Sequence, residues 1–545
     1  MCSSVHSTHR PPKPRLGLSR LALVAMMLLA PVNFSLAQSP GGATGGATGA
    51  LPSLGDNFEL SVAAERRIGD RIAASIYRDP DYIDDPVLGD YLESIWQPLL
   101  KAARARGELS AEIDGRFAWQ LFLIRDRTLN AFALPGGYFG VHLGLISSVS
   151  NADEMAAVLG HELSHVTQRH IARLITQQSR QAPMLIAAMI LGVLAASKSP
   201  DVGSAAIVGG QALAAQGQLN FSRDMEREAD RVGFGVMTDA GFDSGGETTM
   251  FAKLQQAARL NDNGAFPYLR SHPLTTQRIA EVQARVQLAE ASAAKPTPAH
   301  ENDEAKAHVL HAMMAARARI LAAPGVDALR AMVAEAQRAA VSLPAPASPA
   351  SDANIRDAGT LYAGVFAAAQ LRDFSAARTL LARLKPFVSD IARANQVVDL
   401  LAVELDLLAG VVPPSASSVN LTKANTRAEV LIEARSLLAA RRAPEVSNRL
   451  QTWVTAHPKD ALAWQLLSEA YGNQNQAVRA IRADAESRVA QLDYPAALDR
   501  FKAAQALMRS NPTSADFVEG SIIDARARQV ALLVKEQALQ DKVDR

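Results

Sequence analysis

Cysteine is all but missing from this chain of 545 residues: Cys2 is the single one, so no disulfide can form within the chain. Aromatic residues make up only 5% while alanine is abundant, a composition that leans helical. Neither sign of charge dominates. The formal net charge is +1, which gives no basic footprint for nucleic acid. Apolar runs long enough to span a bilayer are also lacking. Leu21–Ala30, Pro183–Ala196 and Gly203–Ala215 are each shorter than the roughly 20 residues a spanning helix needs. A hydrophobic content of 48% with 20% charged residues describes a folded chain, and its length exceeds what one core sustains, so two or more domains are expected.

The N-terminus has the layout of a secretory signal peptide over residues 1–37: Arg10, Lys13, Arg15 and Arg20, then the apolar run, then the small-x-small Ser35-Leu36-Ala37. Cleavage there removes Cys2 and four basic residues, taking the charge from +1 to −3. Residues 38–56, rich in Gly, Ala and Thr, read as a flexible linker. The next stretch is mixed. Ser61–Ile76 and Val87–Arg106 read as helices, Phe117–Asp126 as a strand, and Asn130–Ile146 as two extended runs around the turn Pro135-Gly136-Gly137. Glu154–Thr176 reads as one long helix capped by Asn151 or Asp153. An Ala/Pro/Thr-rich stretch sets a linker at 291–305, and no strand is expected beyond it. The expected division is therefore a mixed domain over 57–290 and a helical-repeat domain over 306–545. Helical hairpins recur there at Gly359–Pro386, Asp460–Gln476 and Ala485–Leu507. Trp464, Leu467, Ser468 and Tyr471 follow a tetratricopeptide opening pattern, with serine in place of glycine, and Ala497 with Phe501 resembles its second-helix signature. Stacked helix pairs of this kind present a concave binding face.

The chemistry is concentrated in "HELSH", His161 to His165. At about 100° per residue on a helix, His161 and His165 fall about 40° apart and one turn along, so both imidazoles reach one ion. Glu162 lies beside them, close enough to take a proton from an attacking water. His170 falls about 180° from His161 on a continuous helix and is excluded as a third ligand. A metzincin pattern needs glycine at 168 and histidine at 171, where the chain has Gln168 and Ile171. A second helix over Phe221–Met237 supplies carboxylates instead. Glu226 and Asp230 share a face, and Glu228 points about 200° from Glu226. A carboxylate from this helix completes a His/His/Glu set with a position left for water. Asp230 is placed to hydrogen-bond a ligand imidazole.

These residues, with the preceding "NAFALPGGYFGV", resemble the HtpX and prenyl-protease family of gluzincin metalloproteases, and the similarity covers roughly residues 57–286. The leader and the repeats resemble its periplasmic, repeat-bearing branch. The resemblance implies a mostly α (α+β) fold: a protease domain with a small β-sheet, then a helical solenoid. It assigns one Zn2+ to His161, His165 and Glu226, with Glu162 and Asp230 in the catalytic set. His272, in "LRSHPLTTQRIAEV", would be a fourth, switch ligand that holds the enzyme latent, with Arg278 supporting the site. Asn130, Ala131, Phe132 and Ala133 would pair with an extended substrate. The implied activity is a periplasmic zinc endopeptidase acting on misfolded or stalled outer-membrane proteins, with an assembly role for the repeats. Expected partners are unfolded substrates and the outer-membrane β-barrel assembly machinery, with no nucleic acid; the two apolar stretches read as a hairpin that either lies buried over the active site or makes peripheral contact with a membrane surface. The alternative is an assembly chaperone or adaptor whose zinc is structural or latent.

Overall fold

The computed structural model describes residues 60–178, 222–259, 267–292, 298–342, 352–413, 424–510 and 517–543. The expected leader, the 38–56 linker, both apolar stretches and residues 293–297 of the expected 291–305 linker lie outside them. The described residues all fall in one compact unit.

The chain enters through α1 (Val62–Ile76), whose first turn is capped by Ser61, and α2 (Pro86–Ala105), capped by Asp85 with proline in its first turn. Between them runs the short β1 (Tyr82–Ile83). After α3 (Ala111–Arg116) come β2 (Gln120–Ile124), β3 (Ala131–Leu134) and β4 (Tyr138–His142). The sheet order is β1-β2-β4-β3, with β2 and β4 parallel and the other pairs antiparallel, so β3 is an edge strand. The expected turn at 135–137 is present, with Gly136 and Gly137 both at positive φ. The second extended run is shorter than expected, because the chain turns into α4 (Leu143–Ser148) after His142.

The expected long helix is interrupted. Asn151 caps α5 (Ala152–Thr167), Arg169 takes a left-handed φ of 54°, and a new helix α6 (His170–Gln178) begins. Neither Gly nor Pro marks this break. Arg169 is held in the unusual conformation by its guanidinium, which donates to the carbonyl of Leu60 and to Glu65. Next come α7 (Arg223–Asp239), α8 (Gly245–Arg259), α9 (Pro267–Ser271) and α10 (Thr276–Ser292). α5 and α7 cross at Gly160 and Gly233. A Cβ at Gly233 would sit 3.0 Å from the backbone of Gly160 and His161, so only hydrogen allows the two site-bearing helices to come this close.

From Pro298 onward all described elements are helical, including α11 (Pro298–Leu321), α12 (Val326–Ser342), α13 (Asp352–Gln370), α14 (Phe374–Val388), α15 (Ala392–Leu408), α16 (Arg427–Ala439), α17 (Ala443–Ala456), α18 (Ala461–Asn473), α19 (Ala477–Ala490), α20 (Tyr494–Ser510) and α21 (Phe517–Val543). The signature residues Trp464, Leu467, Tyr471, Ala497 and Phe501 are all buried. Ser468, where the repeat pattern has glycine, donates its hydroxyl to the Ala480 carbonyl at 2.8 Å. Arg441 and Asn475 occupy left-handed turns 34 residues apart, one repeat length.

The two halves share a core. A continuous apolar cluster runs from Val62 and Trp96 through Leu159 and Val236 to Met313, Tyr362, Leu401 and Ile432. Two arginines grip the turn before α2. Buried Arg317 on α11 chelates Asp85 with bonds of 2.7 to 3.0 Å and also reaches Glu404 and the Tyr362 hydroxyl. Arg427 on α16 bridges Asp84 and Asp460.

Candidate metal centre

His161 and His165 lie one turn apart on α5 with their Nε2 atoms 3.0 Å from each other. Glu226 reaches in from the first turn of α7: its Oε1 is 3.4 Å from His165 Nε2 and its Oε2 is 3.6 Å from His161 Nε2. His272 follows directly on α9. Its Nδ1 lies 3.0 Å from Glu226 Oε1 and 3.4 Å from His161 Nε2. All four side chains are buried, and among the described residues they form a group able to hold one ion. Donors about 2.0–2.1 Å from a tetrahedral metal are about 3.3 Å from one another. The observed separations of 3.0 to 3.6 Å match that shell, so these residues fit a small divalent metal.

The residues around them fix their direction. His161 Nδ1 lies 3.0 Å from Asp230 Oδ1, so a proton there leaves Nε2 as the donor to an ion. Arg278 binds both oxygens of Asp230 at 2.7 Å, approaches Glu226 at 2.6 Å, and donates to the Pro273 carbonyl at 2.9 Å. One guanidinium thus ties the carboxylates of α7 to the turn that carries His272. Burial pushes the Glu226 and Asp230 carboxyls up, but His272, His161 and Arg278 outweigh it at Glu226, and Arg278 and His161 at Asp230, so both are held below the ordinary carboxylate range.

Glu162 is enclosed as well, and burial holds its carboxyl above the usual range. Its Oε2 accepts the backbone N–H of Ala133 at 3.0 Å. Its Oε1 makes no hydrogen bond and lies 3.4 Å from His272 Nε2. The base position therefore sits between the histidine group and the edge strand. Along β3, His142 N donates to Asn130 O, and by alternation Phe132 also pairs inward with β4. Only Ala131 and Ala133 of the four expected strand residues turn their backbone groups away from the sheet. Asn130 is taken up by His142, its amide 3.4 Å from Nε2.

The helical-wheel reading excluded His170 as a ligand, and it lies outside the four-residue group. Its orientation differs from that reading, however. The break at Arg169 resets the wheel and swings His170 beneath His165, their Nδ1 atoms 2.9 Å apart, while its Nε2 meets Glu228 Oε2 at 3.0 Å. Burial lowers His170 to a pKa of about 4, so it is neutral. Tyr268, whose ring lies tilted by 33° against His272 with centroids 4.6 Å apart, was likewise not legible in the sequence.

Glu247 on α8 is a further buried carboxyl, whose Oε2 has no hydrogen bond. Burial, with the nearby charge of Asp230 adding to it, pushes it up to about 8 from an ordinary 4.5. The folded chain keeps a proton that the unfolded chain releases, so this group's contribution is intact below the ordinary value and is lost as pH rises toward 8. In chelated protein, Glu247→Gln is expected to leave the melting midpoint nearly unchanged at pH 5 and to raise it by a few degrees at pH 9. Equal shifts at both pH values would refute a raised carboxyl.

Two histidines one turn apart with an adjacent glutamate, a carboxylate from a second helix, and an edge strand beside the base define a metallopeptidase-type centre. Residues 91–286 match the model of peptidase family M48. It is 33% identical over 237 residues to the beta-barrel assembly-enhancing protease of Escherichia coli, covering 43% of this chain and 47% of that protein. The chain thus matches about half the length of that relative. A beta-barrel assembly-enhancing protease of Yersinia pestis is 27% identical over 445 residues, covering 80% of this chain and 83% of the relative. The mitochondrial metalloendopeptidase OMA1 of Schizosaccharomyces pombe is 32% identical over 165 residues, covering 30% and 46%.

Proposed function

We propose that this chain is a zinc-dependent endopeptidase of the periplasm that cleaves unfolded segments of outer-membrane proteins. The observation that carries the reading is the convergence of His161, His165, Glu226 and His272 beside Glu162, at separations that fit one tetrahedral ion. His161, His165 and Glu226 would hold the metal. When bound, it supplies Lewis acidity for the scissile carbonyl and acidifies an attacking water. Glu162 takes the proton from that water and returns it to the leaving amine. The Ala131 backbone and the Ala133 carbonyl align an extended peptide along the sheet edge, which selects unfolded over folded chains. Asp230 keeps His161 in its ligating tautomer, and Arg278 holds Asp230.

The substrate class is supported by the names of the relatives, and the compartment by the signal-type N-terminus. A role with the β-barrel assembly machinery belongs to the same proposal and falls to the helical half. Among the described residues no helix is long and apolar enough to cross a membrane. Metal analysis of the purified chain and digestion of an unfolded protein such as casein test the reading. One zinc per chain and chelator-sensitive cleavage are expected, and absence of both refutes it.

His272 acts as a latch in this reading, since its imidazole fills the fourth position and faces Glu162. His272→Ala is expected to raise casein cleavage about 10-fold or more at equal zinc occupancy, as a resting population only about 1–10% open implies. Unchanged activity would remove the latch. Loss of zinc together with activity would make His272 a structural ligand and favour the assembly-chaperone alternative.

A further inference from the structure

We propose that His170 and Glu228 are positioning residues for the metal centre, acting in series to hold His165 in the tautomer that turns its Nε2 to the ion. The inference rests on the metal reading above and concerns residues that reading does not use.

Glu228 Oε2 lies 3.0 Å from His170 Nε2, and an ionised carboxylate can only accept, so His170 carries its proton on Nε2. His170 Nδ1 and His165 Nδ1 face each other at 2.9 Å, a contact that holds a single proton; His170, already donating from Nε2 to Glu228, completes the row by accepting at Nδ1, and His165 Nδ1 is the donor. With its proton on Nδ1, His165 has its lone pair on Nε2, the nitrogen 3.0 Å from His161 Nε2 and 3.4 Å from Glu226 Oε1. A row running the other way would put the proton of His165 on the nitrogen that has to ligate. Glu228 thus sets the direction of the row, and Arg173, 2.8 Å from the same oxygen, holds Glu228 in place.

Each ligand imidazole is then backed by a carboxylate from α7. Asp230 reaches His161 directly. His165 lies one imidazole too far from Glu228, and His170 spans the gap. The fold departs from regular helix to make this possible: Arg169 adopts a left-handed φ, a conformation unfavourable for a side chain with a Cβ. Without that break His170 would lie on the far side of α5. His165 and His170 are both fully buried, whereas Glu228 and Arg173 reach the surface, so the row extends from the centre to the solvent.

The experiment measures zinc affinity of the full chain by competition with a chromophoric chelator and records the visible spectrum of the cobalt-substituted protein. His170→Ala is expected to weaken zinc binding 10- to 100-fold and to alter the cobalt bands, the usual cost of losing such a supporting partner. His170→Gln, whose carbonyl oxygen can accept from His165 Nδ1–H, should recover most of that loss. Glu228→Gln changes a partly exposed residue with little risk to folding and should weaken binding several-fold. Combined with His170→Ala it should add nothing, since the two act in one row. Affinity within twofold of the parent in both single variants overturns the proposal, as does a Gln variant no better than Ala, which would mark His170 as packing alone. If His170→Ala does not fold, Glu228→Gln decides. His165→Ala and Glu226→Gln serve as controls. If they keep full zinc affinity, the metal reading itself has failed, a result distinct from failure of the row.

Discussion

Glu162→Gln is expected to reduce peptide-bond hydrolysis by about 10²–10⁴-fold while leaving zinc content unchanged. The amide has nearly the shape of the carboxylate but cannot take a proton. Its carbonyl oxygen can still accept the Ala133 N–H now given to Oε2, so the edge strand and helix α5 should not shift. In the kinetics kcat and kcat/KM should fall together, because what is lost is an interaction of the transition state rather than of the ground state. A parallel loss of zinc would show that Glu162 is a ligand or that the variant is misfolded. Full activity with zinc retained would remove the base from the mechanism.

The second large effect concerns stability. Arg317 is buried and neutralises two carboxylates, Asp85 and Glu404, that belong to opposite halves of the chain. Removing it strands both in a low-dielectric interior, and Arg317→Ala is expected to cost about 3–5 kcal/mol, seen as a lower urea midpoint. Arg317→Met combined with Asp85→Asn and Glu404→Gln should recover much of that loss, since no charge is then left unpaired. If the single and triple variants are equally unstable, the effect is packing. A fragment starting at residue 306 would keep Arg317 but lose Asp85, and would expose Met313 and Met314 from the shared core. It is expected to unfold more readily than the same helices do in the full chain.

Local rules in the sequence determined the elements and the donors. The spacing of His161 and His165, the adjacency of Glu162, and the pairing of Glu226 with Asp230 follow from 3.6 residues per turn, and the structure brings these residues together. Asn151 was legible as one of two candidate caps, and Pro135-Gly136-Gly137 as a turn, because each depends on a few neighbouring residues. The tertiary structure alone decided three things. Glu226 came to face the histidines because Gly160 and Gly233 let α5 and α7 touch, a contact between residues 73 apart in sequence. His170 turned toward His165 because Arg169, drawn to Leu60 and Glu65 about 104–109 residues earlier, adopts a backbone angle its own sequence disfavours. The two halves joined into one core because Asp85 and Arg317, 232 residues apart, meet where no local pattern could place them. Helical periodicity is carried by near neighbours and can be read in one dimension. Close approach, tautomer and buried charge pairing depend on partners that only folding brings within reach.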